Sequence, residues 1–136
     1  MDVMVELREV GEMYKSGDFT NGLKKTREIW ERVPEPKNAT ANAYIILEYA
    51  VGFALKLRDP DEAWKWACLA PSFIEKRQDL GEVEFLIGRV AFERGDMETA
   101  KANFLIAKRK SRGRIFEGQD PKYKALIARG IPNRVQ

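Results

Sequence analysis

The chain has 136 residues, 44% hydrophobic and 33% charged, and this length and composition predict one water-soluble globular domain. It contains one cysteine, Cys68, and no histidine, which excludes an intrachain disulfide, a cysteine-based metal site and histidine-assisted catalysis. The net charge of +3 is unevenly divided, because residues 1–70 carry −2 and residues 71–136 carry +5.

Hydrophobic spacings of three and four residues predict helices along most of the chain. Gly17 is expected to end the first helix, and Asp18 to cap the second. Asp59-Pro60 and Asp120-Pro121 are strong start signals, because proline fits the first helical position. Seven helices are predicted: 3–15, 19–33, 40–58, 60–69, 79–94, 97–110 and 121–129. Residues 72–78 are expected to form either a short helical turn or the extended start of the fifth helix.

The predicted turns between paired helices fall at Asp18, Asp59 and Asp96, which are 41 and 37 residues apart. A helix–turn–helix unit that recurs at this period is typical of an α-solenoid. We therefore expect an all-α fold of about three antiparallel helix pairs and a C-terminal capping helix. This fold would form a single domain over 1–130, followed by a frayed tail at 131–136.

Residues 81–111 resemble a tetratricopeptide repeat. Small residues, Gly88 and Ala100, stand where the two helices of that family cross, and Phe92 and Phe104 match its aromatic positions. Gly95-Asp96 matches its turn, whereas the early Trp and the closing Pro of the family are absent. The units around Asp18 and Asp59 match more loosely. The resemblance implies a concave surface, lined by the first helix of each unit, that binds another protein.

Seven side chains are predicted to line that concave surface: Tyr14, Tyr44, Glu48, Phe85, Arg89, Phe92 and Glu93. Aromatic rings beside charges are typical of binding surfaces, and Arg89 and Glu93 have the spacing of an ion pair within one helix. An alternative is that Phe85 and Phe92 only pack on a neighbouring helix, and that Glu48 pairs with Arg89. Gly11 and Gly52 predict close approach of another backbone.

Residues 101–114 carry six basic side chains and no acidic one. One interpretation is a helix whose basic last turn complements the helix dipole. The other is a patch that binds RNA, phosphate or an acidic partner. The candidate residues of this patch are Lys108, Arg109, Lys110, Arg112 and Arg114.

The sequence offers little for catalysis. No phosphate-binding loop is present, and the carboxylates of Glu82 and Glu84 are spaced for different helix faces. We therefore expect no enzymatic activity, no cofactor and no metal. Cys68 follows Trp64 by four residues, which predicts a buried structural thiol. The start of the chain lacks the pattern of a signal peptide, and 43–57 is expected to be a buried helix rather than a membrane span, so we expect a cytoplasmic protein.

Residues 113–123 resemble the ending of small bacterial repeat proteins that are encoded beside polymorphic toxins and act as immunity proteins. This resemblance implies a protein that binds and neutralises a cognate toxin. Two alternatives stay open: a chaperone or adaptor that holds an extended peptide of a client protein, and RNA or phosphate binding through 101–114. A membrane partner is not expected.

Overall fold

A computed structural model describes residues 3–76 and 79–128. This part of the chain contains seven α-helices and three short 3₁₀ turns and no strand, which confirms the all-α prediction. Its contacts divide the chain into two compact units, Met1–Gln78 and Asp79–Gln136, and each is described by itself. The single domain predicted for 1–130 stays a prediction, and the predicted tail at 131–136 lies outside the described residues.

The first unit contains two helix pairs. Helices α1 (Met4–Ser16) and α2 (Phe19–Arg32) form one pair, and α3 (Ala43–Lys56) and α4 (Pro60–Ala67) form the other. Short 3₁₀ turns, Lys37–Ala39 and Ala70–Phe73, follow the two pairs. Helix α3 is central because it packs against α1, α2 and α4, and residues 50–54 are buried one after another around its circumference. This burial explains the apolar stretch in the sequence.

The second unit is built on the pair α5 (Glu82–Glu93) and α6 (Met97–Ser111), followed by the 3₁₀ turn Arg114–Phe116 and by α7 (Pro121–Ala128). Helices α5 and α6 approach each other very closely at Gly88. A Cβ atom on that residue would lie 2.7 Å from the ring of Phe104 and 3.3 Å from the carbonyl oxygen of Ala100. The close crossing predicted from these small residues is confirmed.

The three turns within helix pairs share one geometry. Gly17, Arg58 and Gly95 have φ angles of +83°, +58° and +85°, and an aspartate follows each of them. The carboxylates of Asp59 and Asp96 each accept a hydrogen bond from a backbone N–H three residues later, at 3.1 Å. Such caps satisfy donors that the first turn of a helix leaves open.

Asp18 is the N-cap residue of α2, as predicted, and its backbone carbonyl accepts the N–H of Gly22 at 2.9 Å. Its side chain makes no capping bond and instead accepts a hydrogen bond from the amide of Asn21 at 3.1 Å. Two helix starts differ from the prediction. Helix α3 begins at Ala43 because the residue before it has a left-handed φ of +67°. Helix α5 begins at Glu82 because the carboxylate of Asp79 accepts the N–H of the residue four positions later, at 3.0 Å.

Candidate functional site

Three residues of the predicted concave surface lie in the first unit. Glu48 is exposed on α3. Tyr14 is half-buried, and its ring packs against that of Phe53 with a centroid distance of 5.3 Å. Tyr44 is only 3% exposed and packs edge-to-face on Phe73 at 5.6 Å. Of these three, Glu48 is therefore the exposed residue, and Tyr44 belongs to the core.

Gly11 and Gly52 make room for the tyrosines of the opposite helix. A Cβ on Gly11 of α1 would lie 2.9 Å from the hydroxyl of Tyr49, and a Cβ on Gly52 of α3 would lie 3.0 Å from the ring of Tyr14. The close approach predicted at both glycines is present. However, it comes from side chains and not from a backbone, so the predicted source was wrong. The two contacts are reciprocal and pack α1 against α3.

Two aromatic residues of the predicted surface pack inside the second unit. Phe85 is 6% exposed, and its ring contacts those of Phe104, Phe116 and Tyr123 with centroid distances of 5.3 to 5.9 Å. Phe92 is half-buried and lies edge-to-face with Tyr123 at 5.2 Å. Both rings therefore pack on neighbouring helices, which was the alternative to a binding role. Their partners lie on α6, on α7 and in the turn between these two helices.

Glu93 is held by α7. Its Oε2 atom accepts a hydrogen bond from the hydroxyl of Tyr123 at 2.8 Å and lies 2.9 Å from Nζ of Lys122. Burial raises the pKa of Tyr123 well above its ordinary value, and the bond to the Glu93 carboxylate raises it further. The same carboxylate raises the pKa of Lys122 through a hydrogen bond. The ion pair predicted between Glu93 and Arg89 is therefore replaced by one with Lys122.

Arg89 itself is half-buried on α5, and no described group hydrogen-bonds its buried Nε atom. The seven predicted residues are divided between the two units, so their grouping on one surface and their binding role stay predictions.

One lysine of the predicted basic patch has a structural role. Nζ of Lys110 lies 2.8 Å from Oε2 of Glu84 and 3.5 Å from Oδ2 of Asp79, whose side chain is 1% exposed. The hydrogen bond to Glu84 raises the pKa of Lys110. Lys110 thus pairs with two buried carboxylates and has a structural role within this unit, and its role in binding a partner stays a prediction.

The other four basic residues predicted for the patch, Lys108, Arg109, Arg112 and Arg114, are exposed. Arg112 ends α6 with a left-handed φ of +55° and lines two surface cavities. The first cavity, of about 420 Å³, includes Lys108, Arg112 and Lys124 above Phe116 and Ile127. The second, of about 390 Å³, includes Leu80, Lys110, Arg112, Arg114 and Ile115.

Lys124 is the basic residue that the sequence analysis missed. It lies on α7, ten positions beyond the predicted patch, and it shares the first cavity with Lys108 and Arg112. The Asp120-Pro121 start signal predicts α7. However, nothing in the sequence shows that the connecting turn brings this helix against the end of α6.

Cys68 is exposed, so the buried thiol predicted for it is wrong. The buried face of α4 consists of Ala63, Trp66 and Ala67, and it continues to Ala70. Cys68 comes directly after Ala67. The buried positions around it are spaced by three and four residues, and Cys68 does not fall on that spacing, so its side chain lies on the exposed side.

Among the described residues, no group of three acidic, cysteine or histidine side chains is placed to hold a metal ion. None of the described helices has the length and apolar character needed to cross a bilayer. Comparisons with protein-family models, curated proteins and solved structures found no match to this chain.

Proposed function

We propose that this chain is a non-catalytic protein-binding module, and that its partner is a toxin which it neutralises. The observation that carries the proposal is the repeated helix pair: three turns combine a left-handed residue with a following aspartate and helix. Recurring helix pairs of this kind expose long helical faces that suit other proteins. Arg89, in the second unit, is the residue of the predicted concave surface that we propose for partner contact.

The toxin is proposed from the resemblance of residues 113–123 to immunity proteins. In the second unit these residues form the 3₁₀ turn and the start of α7, which bring Phe116 and Tyr123 onto the aromatic cluster around Phe85. Their role in packing is compatible with a toxin-binding surface built on the exposed side chains beside them.

Affinity capture from the source cells tests this proposal. With the tagged chain as bait, we expect one folded partner in a one-to-one complex, measured by mass spectrometry and light scattering. Expressed alone in a bacterial host, that partner should stop growth, and co-expression of this chain should restore growth. Capture of many extended proteins would instead favour the chaperone or adaptor, and a ribonuclease-sensitive complex would favour RNA binding.

Charge-reversal variants locate the contact. Arg89→Glu should weaken capture if the concave surface is used, whereas Glu31→Lys, a reversal on the exposed side of α2, serves as the matched control. Circular dichroism should show both variants folded. If wild-type bait captures no protein partner, the proposed function is contradicted.

A further inference from the structure

We propose that the second unit docks an acidic segment of the partner protein that also carries apolar side chains. The docking surface, here called the basic C-terminal surface, comprises Leu105, Lys108, Arg109, Arg112, Arg114 and Lys124. This inference rests on the proposed function, because it names the surface and the chemistry through which a protein partner binds.

Charge is the first argument. Lys108, Arg109, Arg112 and Arg114 are exposed, and Lys124 adds a fifth cation from α7. Acidic side chains are fewer here: Glu117 lines the first cavity, and Glu82, which accepts a hydrogen bond from the backbone N–H of Leu80, lines the second. Because the cations outnumber these carboxylates, the surface attracts an acidic partner and increases its rate of association.

The shape of α6 is the second argument. Leu105 and Lys108 are three residues apart, so they lie on one side of α6, and Arg112 follows directly after the helix as its C-cap residue. The side chain of Leu105 is 46% exposed, so it adds apolar surface next to the basic side chains at the end of α6. Arg112 borders both cavities.

The cavities supply apolar contact. Phe116 and Ile127 line the first cavity, and Leu80 and Ile115 line the second, where Leu80 is 61% exposed. Cations around apolar surfaces match a segment whose carboxylates alternate with apolar side chains, since the apolar groups fill the cavities while the carboxylates face the cations.

The packing of Phe116 argues against nucleic acid as the ligand. Its ring is 7% exposed and lies edge-to-face against Phe85 at 5.3 Å and Phe104 at 5.6 Å. Single-stranded nucleic acids bind by stacking bases on open aromatic faces. Because this ring is committed to the core, the surface offers phosphates a set of cations but offers bases no platform.

Fluorescence anisotropy tests the surface with three labelled probes: a peptide in which Asp and Glu alternate with Leu and Phe, the same peptide with Lys in place of the acids, and a uridine oligonucleotide. We expect the full chain to bind the acidic peptide most tightly. The double variant Lys108→Glu, Arg112→Glu should weaken that binding by more than about tenfold. The matched variant Arg8→Glu, Lys24→Glu, on exposed positions of the first unit, should leave it unchanged.

The milder pair Lys108→Gln, Arg112→Gln keeps the test valid if charge reversal disturbs folding, and it should weaken acidic-peptide binding severalfold. Unchanged affinity in folded variants overturns the docking surface. Tighter binding of the oligonucleotide, lost in the same variants, also overturns it in favour of nucleic acid.

The partner captured by the wild-type chain separates this inference from the proposed function. Equal capture by wild type and by Lys108→Glu, Arg112→Glu overturns the docking surface and leaves the proposed function standing. If the wild type captures no partner, the proposed function fails, and the peptide measurement alone then decides whether the surface binds acidic segments.

Discussion

Substitution of Gly88 tests the close crossing of α5 and α6. A Cβ at this position would lie 2.7 Å from two ring carbons of Phe104, a distance that Cβ atoms in proteins do not tolerate. Phe104 is fully buried and its ring contacts Phe85, Phe116 and Tyr123, so it cannot move aside without disturbing the cluster. Even alanine is therefore expected to force the helices apart.

The expected magnitude is a balance of two effects. Replacing glycine by alanine inside a helix normally stabilises it by about 1 kcal/mol. Overpacking a well-packed core costs about 1–3 kcal/mol, and the carbonyl of Ala100 at 3.3 Å limits relaxation on the other side. The difference is a loss of up to about 2 kcal/mol, and because relaxation is limited we expect Gly88→Ala to lower the free energy of unfolding by an amount in the upper part of that range. Gly88→Val should lower it further because its two additional methyl groups add bulk.

Chemical and thermal unfolding, followed by circular dichroism, measure this loss. Each kcal/mol should lower Tm by about 3–6 °C for a chain of this size. Ala102→Val, on an exposed position of α6, is the control for the effect of a branched side chain on a helix. The double variant Gly88→Ala, Phe104→Leu should lose less stability than the sum of the losses of the two single variants, because the smaller side chain leaves room for the methyl group. An unchanged or higher Tm for Gly88→Ala would refute this account of the crossing.

Three further predictions concern single residues. Gly81→Ala should lower the free energy of unfolding by about 2–4 kcal/mol, because Gly81 has a φ of +105° and a Cβ there would lie 2.8 Å from the carbonyl oxygen of Ala107. Gly118 has a φ of +77° with no atom within 4 Å of a Cβ, so Gly118→Ala should lower it by only about 1–2 kcal/mol in the same unfolding assay. Burial opposes ionisation of Asp79, but hydrogen bonds from backbone N–H groups outweigh it and hold its pKa below the ordinary value, so its stabilising effect should be present above pH 3.8 and disappear as the pH falls through the lowered pKa. Acid unfolding of Asp79→Asn should accordingly depend less steeply on pH than that of the wild type, and an equal slope would contradict this role. Cys68 should react with a thiol reagent in the native protein at a rate close to that in denaturant, whereas strong protection would show that it is not exposed.

The helices could be predicted because their signals are local. Glycine at a left-handed position, aspartate before a helix and proline in its first turn act within a few residues, so the starts at Pro60, Met97 and Pro121 are as predicted. The start of α3 was not predicted because Asn42 has a left-handed φ, a conformation that asparagine adopts more readily than most residues but for which it is a weaker signal than glycine.

The candidate site was harder to predict from the sequence than the helices were, because the role of a side chain depends on which helix packs against it. The spacing of Phe85 is the same whether its ring faces a partner or the rings of α6 and α7. Lys110 differs from Lys108 only in its direction, which takes it to two buried carboxylates instead of the surface. Periodicity identifies the faces of a helix, but only tertiary contacts decide which residues of those faces remain exposed.

The most direct test of the central claim is the stoichiometry and affinity of the complex formed with the captured partner, measured by light scattering and titration calorimetry. A protein-binding module predicts one folded partner in a one-to-one complex at near-physiological salt. The basic C-terminal surface predicts in addition that Lys108→Glu, Arg112→Glu reduces the affinity of this complex more than about tenfold, whereas Glu31→Lys leaves it unchanged. Absence of any protein complex, with binding confined to nucleic acid, would contradict the claim.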